Sequence, residues 1–236
     1  MTTAADLVAL VDLTSLNDDD TPEVVRDLSA RAVTPLGPVA AVCVMPQLTE
    51  VAVHATAGTP VLVATVANFP AGDDDPDAAA EATRAAVAAG ADEVDVVAPW
   101  RAHVDGDTAA VHRLVAACAE AVGDRTLKVI LETGSHPDGG QTRAMADAAL
   151  DAGAHFLKTS TGKVGQGATP EAARVLLEAV RDHGSGGVKV SGGVRSGEHA
   201  RAYVGLAEDV LGPGWATPRT FRIGASSLLD DLLVGR

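Results

Sequence analysis

Eight short runs of β-branched and other aliphatic residues recur along the chain, and they constrain its fold more than any other feature. Most of them are continuously apolar rather than alternating in polarity, which is typical of parallel strands buried on both faces. Segments with the character of helices separate the runs. The runs cover residues 9–14, 39–44, 61–66, 93–97, 127–132, 155–160, 187–192 and 220–224.

Three of the intervening segments start alike, at residues 21–23, 75–77 and 169–171. Each has Thr or Asp, then Pro, then an acidic residue, which suits an N-cap, the first helical position and the positive end of a helix dipole. Eight alternating strand and helix units predict an α/β fold, a (β/α)8 TIM barrel, in one domain spanning residues 1–236. The alternative is an open doubly wound sheet, but residues 12–17 lack its glycine-rich turn.

Composition excludes several classes of partner. Eighteen Lys and Arg against 32 Asp and Glu give a net charge of −14, which repels nucleic acid and anionic membranes. The chain has no apolar run of membrane-spanning length and no basic residue before Arg26, so a cytoplasmic protein is expected. The two cysteines, Cys43 and Cys118, lie far apart, which argues against a disulfide framework or a zinc site.

The chain has only four lysines against 14 arginines, and three of them fall inside predicted strands. An arginine stays protonated, whereas a desolvated lysine amine can lose its proton and attack a carbonyl to form a Schiff base. A buried ammonium is costly, so Lys128, Lys158 and Lys189 each need an ion-pair partner or a catalytic role. For any one of them the structural ion pair stays open as the alternative.

Lys158 ends its strand, which is where active sites of this fold are built, and we interpret it as the nucleophile. Lys189 lies on the next strand, where its charge would lower the pKa of Lys158. Residues 89–95 align without gaps on residues 152–158, so Asp95 is expected at the height of Lys158, facing the same way. Asp95 could then transfer protons, or could serve only as a salt-bridge partner.

The last three predicted strands each end in a turn of small residues, at 160–163, 191–195 and 224–227. Such turns let backbone N–H groups approach an anion, and a following helix adds the positive end of its dipole. The sequence therefore predicts a phosphate site there. Other polar residues at or near strand ends are expected to line the pocket: Asp12, Thr14, Cys43, Asn68, Lys128, Glu132 and Thr161.

Two motifs carry a family resemblance: Lys-Thr-Ser-Thr-Gly-Lys at 158–163, and Lys-Val-Ser-Gly-Gly-Val-Arg at 189–195. With residues 12–17, 42–46, 65–70, 93–97, 127–134 and 222–227, the chain resembles deoxyribose-phosphate aldolase, a class I aldolase family. The resemblance implies reversible cleavage of 2-deoxy-D-ribose 5-phosphate to D-glyceraldehyde 3-phosphate and acetaldehyde, in deoxynucleoside catabolism. It implies no metal and no cofactor.

The resemblance also implies residue roles. Lys158 would form the Schiff base, and Asp95 and Lys189 would relay protons. The chain departs from the family in the loop 164–169 and in ending at residues 234–236 without the longer tail, with its terminal tyrosine, that some relatives carry. The implied phosphate pocket comprises Gly162, Lys163, Gly192, Gly193, Gly224 and Ser226.

Two other functions remain open on the sequence: a Schiff-base aldolase or transaldolase for a different phosphosugar, and a catalytically silent barrel that binds sugar phosphates as a sensor. The expected partners are small phosphorylated sugars and aldehydes. The Ala-rich helix faces could also pack into a homodimer.

Overall fold

Eight parallel strands close into a barrel in the computed structural model, which describes residues 2–234. Each strand pairs with its neighbour in chain order, and the last pairs with the first. The strands are β1 Val11–Thr14, β2 Ala41–Val44, β3 Leu62–Ala67, β4 Glu93–Val97, β5 Thr126–Ile130, β6 Phe156–Lys158, β7 Gly187–Ser191 and β8 Phe221–Ala225. All eight coincide with predicted runs, which confirms the (β/α)8 barrel and excludes the open sheet.

Helices surround the barrel, and the predicted starts are confirmed. The side chains of Thr21, Asp75 and Thr169 each accept a backbone hydrogen bond at the first turn of a helix that begins with Pro. The helices are α1 Ala4–Val8, α2 Pro22–Arg31, α3 Thr49–Thr56, α4 Pro76–Ala88, α5 Trp100–Val104, α6 Thr108–Val122, α7 Gly139–Asp151, α8 Pro170–His183, α9 Gly197–Leu211 and α10 Leu228–Val234.

Side-chain alternation divides each strand between two environments. On β4, Val94 and Val96 point outward into the aliphatic layer between strands and helices. Each such buried aliphatic side chain contributes about 1.5–3 kcal/mol through removal from water. Glu93 and Asp95 occupy the opposite face, so they point into the barrel. The outward face therefore stabilises the fold, and the inward face is available for chemistry.

Some features were not predicted. Residues 33–34 and 37–38 form a small antiparallel hairpin, too short to show an alternating pattern in the sequence.

No helix among residues 2–234 combines the length and apolar character that crossing a membrane requires. Gly235 and Arg236, part of the noted departure from the family, lie outside the described residues.

Candidate active site

The barrel interior holds seven charged side chains, all of them buried. They point inward because residues paired in register on parallel strands face the same way: Asp95 is paired with Lys128, and Lys158 with Lys189. Six of the eight strands contribute to this cluster, which comprises Asp12 of β1, Glu93 and Asp95 of β4, Lys128 of β5, Lys158 of β6, Lys189 of β7 and Arg222 of β8.

Asp95 lies at the centre of the cluster. Its Oδ2 accepts hydrogen bonds from Lys158 Nζ at 2.8 Å and from Lys189 Nζ at 2.7 Å. Its Oδ1 accepts one from Lys128 Nζ at 2.9 Å. Burial disfavours the carboxylate, but the three lysines outweigh burial and hold the pKa of Asp95 well below its usual range. The structure thus brings together the three residues that the sequence singled out as catalytic.

A second layer of ion pairs lies beneath Asp95. Asp12 joins Lys189, with Oδ2 2.6 Å from Nζ, to Arg222, with Oδ1 2.7 Å from Nη1. Glu93 joins Arg222, with Oε1 2.8 Å from Nη2, to Lys128, with Oε2 2.5 Å from Nζ. Every lysine of the cluster therefore has at least one buried carboxylate partner.

The charges of the cluster do not balance if all groups are ionised, because three carboxylates face four cations. Burial lowers the pKa of the Lys158 amine, and the Lys189 ammonium lowers it further against the opposing effect of Asp95. Burial acts in the same direction on Lys189, but Asp12 and Asp95 outweigh it and raise the pKa of that amine. The pKa values of Lys128 and Arg222 are likewise raised by their carboxylates in spite of burial. Lys158 is therefore the cation that loses its proton most readily.

A cavity of about 340 Å³ opens above Lys158 at the carboxyl ends of the strands. A larger cavity of about 540 Å³ between α8 and α9 contains no member of the charged cluster. The predicted site residues that line the smaller cavity are Thr14, Lys158, Thr161, Gly162, Lys163, Gly192, Gly193, Gly224 and Ser226. The other lining residues of the predicted turns are Ser191, Val194, Arg195, Ala225 and Ser227, and the lining residues not predicted are Ser15, Leu16 and Asn17.

The turns after β7 and β8 present backbone donors to this cavity. Within the described residues, the N–H groups of Gly193, Val194, Ser226 and Ser227 donate no backbone hydrogen bond. Free N–H groups next to a helix start suit an anion. The expectation that a helix follows each turn needs correction for β6, because α8 begins only at Pro170, after an eleven-residue connection from Thr159 to Thr169.

That connection is held on both sides. The buried Glu132, at a left-handed φ of 52°, accepts the Thr161 N–H at 3.2 Å. On the other side Ala168 N donates to the carbonyls of Ser191 and Gly192, both at 3.0 Å. A Cβ on Gly167 would lie 2.2 Å from Gly192 O, so only glycine allows this approach. The β6 turn is thereby fixed against the β7 turn across the cavity.

Five of the expected lining residues lie elsewhere, and one of them is Glu132, which is buried just after β5 and holds the Thr161 N–H. Asp12, Cys43 and Lys128 are completely buried below the cavity, because each is an inward residue one or more positions before its strand end. Cys43 packs among small apolar side chains of β2 and β3. The Asn68 side chain donates to Val97 O at 2.9 Å and Asp73 O at 2.8 Å, so it stabilises a loop and borders a separate surface cavity.

Glu93 and Arg222 were not predicted as members of the site. Glu93 lies two residues before Asp95 and so shares its inward face, which the alternation of a strand could have indicated. Arg222 is paired in register with Lys189. That pairing follows from the register of the barrel strands, which cannot be read from the sequence.

The fold and the lysine-bearing interior define a (β/α)8-barrel enzyme with its site at the carboxyl ends of the strands. The family model described as DeoC/LacD family aldolase matches residues 7–232, and the chain belongs to this aldolase family.

Solved structures agree with this assignment. A protein of Aeropyrum pernix, described as a deoxyribose phosphate aldolase with a unique tetrameric structure, is 28% identical over 99% of this chain and 92% of its own, with a TM-score of 0.82. Two proteins provisionally assigned as deoxyribose-phosphate aldolases are also similar. The one from Coccidioides immitis is 29% identical over 98% of this chain and 87% of its own, with a TM-score of 0.84. The one from Toxoplasma gondii is 25% identical over 98% and 91%, with a TM-score of 0.88.

Proposed function

We propose that this aldolase reversibly cleaves 2-deoxy-D-ribose 5-phosphate to D-glyceraldehyde 3-phosphate and acetaldehyde through a Schiff base on Lys158. The observation that carries the proposal is the buried Lys158 amine, 2.8 Å from Asp95 and directly below a cavity lined by turns suited to an anion. The similarity to deoxyribose-phosphate aldolases supports the choice of substrate. The reaction would serve the breakdown of deoxynucleosides.

In this mechanism the neutral Lys158 amine attacks the C1 aldehyde, and the carbinolamine loses water to give an iminium. The C2–C3 bond then breaks, its electron pair moves into the enamine, and the C3 hydroxyl gives up its proton as glyceraldehyde 3-phosphate leaves. Protonation of the enamine at C2 and hydrolysis release acetaldehyde. Asp95, which accepts hydrogen bonds from both amines, and Lys189 would pass these protons.

The phosphate would bind among Lys163 and the turns after β7 and β8. Gly192 and Gly193 have φ values of 86° and 92°, a backbone conformation that glycine adopts without strain and that leaves the cavity wall free of side chains there. A phosphate held there would fix the position of the reacting C1 carbonyl relative to Lys158. Orientation of this kind accounts for a large part of the rate enhancement of enzymes.

Reductive trapping tests the proposal. Acetaldehyde and borohydride should leave an ethyl group on Lys158, located by peptide mass spectrometry. Lys158→Ala should abolish both the label and the release of glyceraldehyde 3-phosphate from deoxyribose 5-phosphate, whereas Lys163→Met should keep the label. A label on another lysine, or turnover by Lys158→Ala, would contradict the proposal.

The same preparations separate the alternatives. Labelling with dihydroxyacetone phosphate but not acetaldehyde as donor would indicate an aldolase or transaldolase for another phosphosugar. Retained ligand affinity in Lys158→Ala, together with a wild type that turns over nothing, would indicate a sensor. The homodimer remains a prediction, which the molar mass in solution decides.

A further inference from the structure

Glu93 and Arg222 form an ion pair at the amino end of the barrel, opposite the cavity. Arg222 Nη2 lies 2.8 Å from Glu93 Oε1, and Nη1 lies 3.2 Å from Oε2, so the pair is bidentate. Both side chains are at most 5% exposed. Neither lines the cavity above Lys158 or donates to its amine, so neither is placed to touch a substrate there.

The pair is connected to Lys158 by two chains of contacts. Through Glu93, the chain runs to Lys128 at 2.5 Å and then to Asp95 at 2.9 Å. Through Arg222, it runs to Asp12 Oδ1 at 2.7 Å, and Asp12 Oδ2 lies 2.6 Å from Lys189. Both chains therefore end on the two groups, Asp95 and Lys189, that flank the Lys158 amine.

The pair itself adds no net charge to the cluster. Without the pair, two carboxylates face three lysines, and the charges of the interior balance when one lysine is neutral. Loss of Glu93 alone would add a positive charge to the interior, and loss of Arg222 alone would add a negative one. We propose that Glu93 and Arg222 are positioning residues that act as a matched pair: each offsets the charge of the other within the cluster, and this balance leaves Lys158 uncharged for attack on the substrate.

Two other titratable groups near Lys158, Cys43 and Glu132, are the same in wild type and in every variant compared below. Cys43 faces it from β2, and burial raises the pKa of its thiol, so the thiol stays neutral. Glu132 faces it from the end of β5, and burial raises the pKa of that carboxyl as well. Neither of these side chains forms an ion pair with Glu93 or Arg222. The proposal rests on the proposed function only in taking Lys158 as the nucleophile.

The test compares Glu93→Gln, Arg222→Met and the double variant with wild type. The readout is the pH at which borohydride trapping of acetaldehyde on Lys158 reaches half its maximum, supported by the pH profile of kcat/KM. Glu93→Gln should move this midpoint down by about one pH unit, and Arg222→Met should move it up by about one, the effect of one nearby charge in a protein interior. The double variant should return to the wild-type midpoint.

Opposite shifts that cancel cannot arise from a merely structural role, which would lower activity without moving the midpoint. Shifts in the same direction, no shift, or a double variant that keeps a shift would overturn the proposal. If one single variant does not fold, the other single variant and the double variant decide together: a shift in the single variant that is absent from the double variant, which buries no unpaired charge, supports the proposal. Trapping without turnover of deoxyribose 5-phosphate would refute the proposed substrate and leave the midpoints as the test of this inference.

Discussion

Lys158 and Lys189 are paired in register on β6 and β7, yet their surroundings drive their protonation in opposite directions. Lys189 has two carboxylates, Asp12 at 2.6 Å and Asp95 at 2.7 Å, whereas Lys158 has only Asp95, which it shares. One residue is therefore held as a cation and the other as the amine that gives up its proton. Two lysines of identical chemistry take different roles because of one additional aspartate.

Lys189→Leu should reduce turnover at pH 7 about 100-fold. Removing this cation leaves three carboxylates and three cations, so the pKa of the Lys158 amine rises and Lys158 keeps its proton. The acid limb of the kcat/KM profile should move up accordingly. Lys163→Met is the matched control, because it should raise KM for the phosphorylated substrate and leave the limb in place. An unchanged profile from pH 6 to 9 in Lys189→Leu would refute the coupling.

The turn after β6 is an element whose shape depends on its neighbours rather than on its own sequence. Glu132 holds the Thr161 N–H from one side, and the backbone of Gly192 contacts Gly167 from the other. A methyl group at Gly167 would meet backbone atoms that have no room to move. The position of the β7 turn in the cavity wall is thus tied to a residue outside it.

Gly167→Ala should raise KM for deoxyribose 5-phosphate about tenfold with little change in kcat. Displacement of the β7 turn would weaken charge-assisted hydrogen bonds to phosphate, each of them worth about 1.5–3 kcal/mol. Inhibition by inorganic phosphate measures the same loss without turnover. Gly165→Ala is the control: it has open space, so it should cost about 1 kcal/mol of stability through its positive φ and leave KM unchanged. Equal KM effects in both variants would argue against the contact.

At the scale of single elements, the strands could be predicted from the sequence, and the connections between them only in part. Continuous apolar runs locate buried parallel strands, and the aligned repeats place Asp95 beside Lys158. The left-handed Glu132 and the close contact of Gly167 with Gly192 depend on segments far apart in the chain, which no local pattern encodes. The same limit explains Asn68: it follows a strand and was therefore predicted at the pocket, but it stabilises a loop instead.

For the molecule as a whole, the buried cluster joins six strands around the barrel, and Asp95 contacts three of them through lysines. A carboxylate that binds three buried lysine side chains affects the stability of the entire fold. The sequence indicated charged residues in the strands, but the three-to-four ratio became countable only once Glu93 and Arg222 were placed by the barrel register.

Asp95→Asn should lower the free energy of unfolding by about 3–5 kcal/mol at pH 7, because it removes the carboxylate partner of Lys158 and a shared partner of Lys128 and Lys189. The decrease in the free energy of unfolding should be smaller at pH 10. Without the carboxylate, the folded-state pKa of Lys158 falls further below the unfolded value near 10.4, so the unfolded chain binds more protons and stability rises with pH up to that value.

Urea unfolding at both pH values measures this difference. Asp147→Asn, which removes the exposed partner of Arg143, should cost about 0–1 kcal/mol at either pH. A loss in Asp95→Asn as small as that of this control would mean that the barrel tolerates the unpaired lysines.

The buried network of ion pairs also affects how such a barrel interior can evolve. A single substitution that removes one partner of an ion pair leaves the other charge buried without a partner. The cost is several kcal/mol, a large part of the free energy that keeps a domain folded. Lineages should therefore exchange these acids and bases two at a time, or preserve them together, while the solvent-facing positions of the surrounding helices vary independently.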